Sequence, residues 1–249
     1  MKQLSFTMFI WLLITCTVTR ADFINISVEN RDFYPFFFLV QNSPKGILLD
    51  MVRDGFAPLG IKPVFTPYPM KRALRMVEAG KVDAIIAPRV SNKNLFLPDD
   101  AFQTNISQYR ILQIDSVVVT YKSDYEFFGD IKTLPTPIRM TSGDPIESLF
   151  QKQGLFVDDA ASGAQNIKKL IRDRKGCVIT TSFKAMSWLE SPAYKNSIDV
   201  STESVVSRSY FLIFSNKTVF SQDQIKMVWK EIAKNRDDYI YPIKLFTGY

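Results

Sequence analysis

The sequence predicts an α/β chain folded as two lobes, each a mainly parallel sheet flanked by helices, with two hinge crossings between them. Three observations carry this expectation. Strand, helix, strand, helix and strand patterns follow one another within about 65 residues, the alternation that builds parallel sheets with right-handed crossovers. The same alternation restarts after the polar stretch Lys122-Ser123-Asp124. A late apolar strand then leads into an amphipathic helix that is expected to pack back on the first lobe.

The N-terminus is set apart from this pattern. Lys2 supplies a positive start, residues 4–18 are almost wholly apolar or small, and Thr19-Arg20-Ala21 reads as a small-x-small cleavage site. These are the three parts of an export signal, so residues 1–21 are expected to be removed and the mature protein to be soluble in the periplasm. An uncleaved anchor competes with this reading, but about 15 apolar residues fall short of the roughly 20 that a spanning helix needs. Lipid attachment at Cys16 is a further alternative, opposed by the bulky Leu13-Ile14-Thr15 before it.

Cleavage leaves 228 residues, 249 minus 21, enough for two small lobes with their own cores. Lys2 and Arg20 leave with the signal, so 29 of the 31 basic residues face 25 acidic ones, a net charge of +4. That modest, scattered excess argues weakly for an anionic ligand and gives no support for nucleic acid, which demands a dense basic face. Of the two cysteines only Cys177 remains, so no intramolecular disulfide forms. Histidine is absent, which removes the commonest general base and the commonest transition-metal ligand. No metal site and no cofactor are expected.

Along the chain, Ile24, Ile26 and Val28 alternate as a strand, and an aromatic loop follows through Phe33, Tyr34 and Phe36 to Phe38. Leu48, Met51, Val52, Phe56 and Leu59 form one stripe of a helix that stops at Gly60. A short strand over 61–65 precedes a helix over 69–80, with Pro69 in its first turn, Met70, Ala73, Leu74 and Val77 on its buried face and Gly80 as its cap. The run 82–87 has the near-continuous apolar character of a parallel strand, and 114–121 is another apolar strand. In the second lobe, 138–140 reads as a strand, Thr141-Ser142-Gly143 as a turn, and Asp144 as the cap of a helix begun by Pro145. A helix around Ile167, Leu170 and Ile171, a strand over 177–181 and a helix from Ser182 complete it. The return strand is placed at 210–214. Ser221 and Gln224 form a capping box ahead of Ile225, Val228, Trp229 and Ile232. The expected organisation is a lobe of 22–120 with 216–249, interrupted by a second lobe of 121–215.

These residues resemble the family 3 bacterial extracellular solute-binding proteins, which have the type II periplasmic-binding-protein fold, over nearly all of residues 23–246. The most specific stretch is Pro69-Met70-Lys71-Arg72-Ala73-Leu74 followed by Ala79-Gly80-Lys81-Val82-Asp83-Ala84-Ile85. It is similar to the family's Pro-aromatic-x-Arg-Ala helix start and Gly-x-x-Asp-Ala strand. Tyr34-Pro35-Phe36, Gly46 with Asp50, and Thr141-Ser142-Gly143-Asp144 add to the likeness, in order and at the right intervals.

The resemblance implies a small ligand held between the lobes by loops at the carboxyl ends of strands, where open parallel sheets offer a crevice. It also implies a monomer that meets an ABC-type permease or a membrane sensor. Asn30 and Phe33 match family positions that place and stack on the ligand; Tyr34, Met70, Arg72, Ser91, Thr141, Ser142 and Thr181 complete the candidate set with Arg89. Family members that bind amino acids carry a carboxylate-clamping arginine in a register that falls here on Leu95, and a late acidic residue in a register that falls on Thr181. Without that guanidinium and carboxylate, bidentate recognition of a free amino acid is poorly served. Arg89 stands near enough to replace the cation, or is a solvated loop residue; Arg72 matches the family's arginine, or serves as a hinge or helix-surface ion pair. Backbone N–H groups around Ser142 and Gly143 offer an anion site at a helix start, and capping by Asp144 explains the same residues without a ligand.

No phosphate-cradling GxxxxGK[ST], GxSxG or GxGxxG pattern occurs in the mature chain. Glu29, Asp32, Asp144 and Glu147 fall near the expected crevice, and two of them are enough for acid–base chemistry of the kind found in dehydratase-like relatives of the fold. The missing histidine and the lack of catalytic spacing favour a binder over an enzyme. Hinges are expected near 118–122 and 210–215.

Overall fold

The computed structural model describes residues 23–30, 33–90, 92–102, 107–122, 125–144 and 146–247. The expected signal over 1–21, together with Asp32, Ser91 and Pro145, lies outside them.

Strand β1 (Phe23–Glu29) turns Ile24, Ile26 and Val28 into the core by the period of two that a strand imposes. A hairpin follows, β2 (Phe38–Val40) with β3 (Ser43–Lys45), turned at Gln41 and Asn42 with φ of 48° and 64°. In α1 (Ile47–Phe56) the predicted stripe is buried, and a 3-10 turn ends at Gly60 in the left-handed region. Strand β4 (Lys62–Tyr68), helix α2 (Met70–Glu78) and strand β5 (Ala84–Pro88) come next. These strands pair in parallel in the order β4-β1-β5. The short β6 (Leu95–Phe96) and the ten-residue β7 (Leu112–Tyr121) lead onward.

The second unit repeats the plan. Strand β8 (Ile138–Thr141), helix α3 (Glu147–Lys152), strand β9 (Val157–Ala160), helix α4 (Gly163–Asp173), strand β10 (Cys177–Thr181) and helix α5 (Ser182–Glu190) follow in turn. Their strands pair in parallel as β9-β8-β10, the order of the first unit. Strand β11 (Ile198–Ser215) returns the chain to α6 (Gln222–Thr247).

One sheet path, β4-β1-β5-β11-β7-β10-β8-β9, joins both units. Strand β11 runs antiparallel to β5 and β7, and β7 runs antiparallel to β10. The two long strands therefore lie side by side where the units meet. The buried clusters divide there: Ile114 and Tyr210 belong with β1, α1 and α6, whereas Val117, Val118 and Val206 pack with β8, β10 and their helices. The crossings thus fall between Ile114 and Val117 on β7 and between Val206 and Tyr210 on β11, a few residues upstream of the expected hinges.

Helix α6 lies on α1. Ile225, Val228, Trp229 and Ile232 join the core of the first unit, Trp229 Nε1 donates to Leu212 O at 2.8 Å, and Ile232 seats against Gly55. The predicted capping box is formed, with Ser221 N–H donating to Gln224 Oε1 at 2.9 Å and Gln224 N–H to Ser221 Oγ at 3.3 Å. Among the described residues no helix is long and apolar enough to cross a membrane.

Two elements depart from expectation. Strand β9 reads Val-Asp-Asp-Ala, in which only Val157 favours a strand; its pairing with β8 and the 2.8 Å contact of Asp158 with Lys169 hold it in the sheet. Strand β11 runs 18 residues rather than the five of 210–214, because the polar run 201–209 pairs with β7 through register shifts at Val200, Ser204 and Val206. In that irregular stretch Ser201 Oγ accepts from the Val118 N–H at 3.0 Å, satisfying a donor that a regular ladder would have taken.

Candidate functional site: a pocket where the two units meet

Strands of both parallel groups, β1 of the first and β8 and β10 of the second, deliver their carboxyl ends to one place. Phe33 follows β1, Asp144 follows β8, and Thr181 ends β10; all three line one concavity that opens to solvent. The crossing strands form its floor with Ile114 and Ser116 from β7 and Arg208 and Tyr210 from β11. Arg208 stands opposite Ile114 in the antiparallel ladder, and residues two apart on a strand face the same side. The pairs 114/116 and 208/210 therefore present one face to the pocket.

One wall is aromatic. The Phe33 ring centroid lies 5.1 Å from Phe36, 5.5 Å from Phe37 and 6.1 Å from Tyr210. Phe36, Phe37 and Tyr210 are buried, so the stack holds Phe33 in place at the rim. The polar lining is mostly donors. Thr181 Oγ accepts from Lys184 N–H at 3.3 Å as the cap of α5, which leaves its hydroxyl hydrogen to give. Asp144 Oδ1 accepts from Ile146 N–H at 3.0 Å, leaving Oδ2 as an acceptor. Arg208 is partly buried and, among the described residues, no hydrogen bond or ion pair engages its guanidinium.

Of the expected site residues, this pocket takes Phe33 and Thr181. Tyr34 is 61% exposed with its ring 5.1 Å from Phe38, on the hairpin side. Asn30 is exposed and its backbone N–H donates to Tyr68 O at 2.7 Å. Met70 packs against the core formed by Ala73 and Val77, while the Arg72 guanidinium lies over the Tyr68 ring at 5.0 Å. Arg89 donates to Ala101 O at 3.0 Å and stacks over Phe102 at 5.5 Å, so its charge is held on the 3-10 turn Asp99–Phe102. Thr141 closes β8 and its carbonyl accepts from Asp144 N–H at 3.1 Å. The anion site expected at Ser142 loses a donor, because the Ser142 N–H is given to Ala160 O at 2.8 Å. Leu95, in the register of the family's arginine, is buried in β6. Ser91 lies outside the described residues.

Arg208 escaped the reading of the sequence. Its signal lies in Ser207-Arg208-Ser209-Tyr210, one cation two residues before an aromatic, on a strand that begins at Ile198 rather than at the expected 210. The helix expected from Pro145 under an Asp144 cap starts instead at Glu147, with Ile146 at its N-cap and no side-chain cap; Asp144 accepts from the Ile146 N–H just ahead of it and lines the pocket.

Two units of like strand order, joined by two antiparallel crossings with a pocket at their junction, are the type II periplasmic-binding-protein fold. No family model matches the chain, and no curated protein does. Solved structures do. The L-cystine solute receptor of Neisseria gonorrhoeae in its unliganded open conformation is 15% identical over 91% of this chain and 92% of that one, with a TM-score of 0.59. An amino acid ABC transporter substrate-binding protein from Streptococcus pneumoniae, bound to L-arginine, is 16% identical over 91% and 96%, with a TM-score of 0.60. A periplasmic VFT2 domain of BvgS from Bordetella pertussis is 13% identical over 90% and 93%, with a TM-score of 0.57. At these identities the likeness establishes the two-lobed fold.

Proposed function

We propose that the chain is an exported binding protein that captures a small polar or anionic ligand between its lobes, closes around it by bending at the crossings, and presents it to an ABC-type permease. The observation that carries this reading is the pocket walled by Phe33 from one unit, Asp144 and Thr181 from the other, and Ser116 and Arg208 from the crossing strands. A ligand touching both units binds the closed arrangement more tightly than the open one, and that difference in affinity is what drives closure. Kinship of fold with a solute receptor and a transport component supports delivery to a permease. The Bordetella neighbour favours a second reading, in which the closed form reports to a membrane sensor. With Asp144 as the one carboxylate lining this pocket among the described residues and no histidine in the chain, the described lining does not supply both a general acid and a general base, and the ligand is expected to leave unchanged.

The test is a melting-temperature screen across small metabolites, since a ligand selective for the folded form stabilises it by RT ln(1 + [L]/Kd). A confirmed ligand is expected to contract the solution-scattering profile. Superimposable profiles with and without it would refute closure, and a mass change in the bound compound would refute a pure binder.

A further inference from the structure

The pocket holds a cation and an anion that do not neutralise each other. Arg208 and Asp144 both line it, yet no ion pair joins them, and Arg208 has no partner among the described residues. A partly buried guanidinium without a partner is costly to keep, and it offers five N–H donors in a planar fork that fits a carboxylate. Ser116 and Thr181 bring hydroxyl hydrogens to the same space. Asp144 contributes a single uncommitted acceptor oxygen on the opposite unit, where a second negative charge on the ligand would be repelled.

We infer that Arg208, carried by a crossing strand, is the carboxylate-binding group, and that Asp144 selects ligands with one carboxylate and a hydrogen-bond donor beside it. The inference rests on the proposed binding role and names its chemistry. Arg89, the cation expected from the sequence, is committed to Ala101 O and the Phe102 ring and takes no part. Phe33 provides an apolar platform for the rest of the molecule.

Four matched probes test this: 3-phenylpropionate, 3-phenyllactate, phenylalanine and phenylsuccinate, each added at about 10 mM in a melting experiment followed by titration calorimetry. The hydroxy and amino acids are expected to bind at least about tenfold tighter than the plain acid, and the dicarboxylate to bind weakest. In Arg208→Gln, binding of all four is expected to fall at least about tenfold, and Arg208→Lys to recover part of it because the charge stays while the fork is lost. Asp144→Asn is expected to keep carboxylate binding while erasing the preference for a neighbouring donor and the rejection of the dicarboxylate. Circular dichroism establishes that each variant is folded. Undiminished binding in folded Arg208→Gln would overturn the assignment of Arg208 and leave the binder standing. An unchanged preference order in Asp144→Asn would overturn the role of Asp144. If none of the four shifts the wild-type protein, the carboxylate assignment is wrong, and the wider metabolite screen then decides the binding role separately.

Discussion

Cys177 sits on β10 between Thr120 of β7 and Ile138 of β8, fully buried among Val118, Phe127, Met140 and Phe150. Burial disfavours the thiolate and pushes the thiol up to about 12 from an ordinary 9.0, with the Arg139 charge opposing the shift. The native thiol is therefore expected to react with an aromatic disulfide reagent only as fast as the protein unfolds. Fast reaction under native conditions would contradict its burial. The sign of the pH effect follows: the neutral thiol is favoured in the folded state, so this contribution to stability is complete below pH 9.0 and is lost as pH rises toward about 12. Cys177→Ala is expected to lose less stability than the parent between those values, measured by denaturant midpoints. The apolar run around Cys177 made this site legible in the sequence. Arg208 was not legible at the same scale, since a charged residue between two serines reads as solvated loop until the strand is seen to pass beneath it.

At the scale of elements, the contact of α6 with α1 depends on a missing side chain. A Cβ on Gly55 would lie 2.5 Å from Ile232 Cγ1 and 3.3 Å from Val228 O, inside van der Waals contact. Gly55→Val is expected to cost about 1–3 kcal/mol through overpacking, and Ile232→Ala in the same chain to recover part of that loss. Additive losses in a double-mutant cycle would mean that the two positions do not share a surface. Helices α1, α2, α4 and α6 were all visible in advance because each carries an apolar stripe at helical spacing. Strand β9 was invisible because Asp158 and Asp159 give it no period of two, and only its neighbour β8 makes it a strand. The outer strands also differ in how they end the sheet: Pro63 and Pro67 remove donors from β4, and β9 carries its two aspartates. Both devices discourage pairing with another chain.

For the whole molecule, the two parallel units are joined through the β7–β11 ladder, so the proposed closure would bend a hydrogen-bonded ribbon. Amide hydrogen exchange is expected to be slow along the regular pairing of 112–116 with 206–210 and faster at 201–205, where the register shifts interrupt the ladder. Uniformly fast exchange through both stretches would mean that the crossings behave as loose linkers. The two-lobed plan was readable from the restart of the strand–helix alternation. The place where the strands of the two units cross was not, because it depends on pairing between residues about ninety apart in sequence, which no local pattern records.

The ribbon also has mechanical meaning for the pocket. Ser116 and Arg208 lie on the strands that would bend in the proposed closure, so a molecule held by them would grip the spring itself as well as the plates at either end. Its size and charge would then set the resting curvature and stiffness of the joint. Two ligands of equal affinity would then leave the lobes at different angles, and a partner reading that angle would tell them apart.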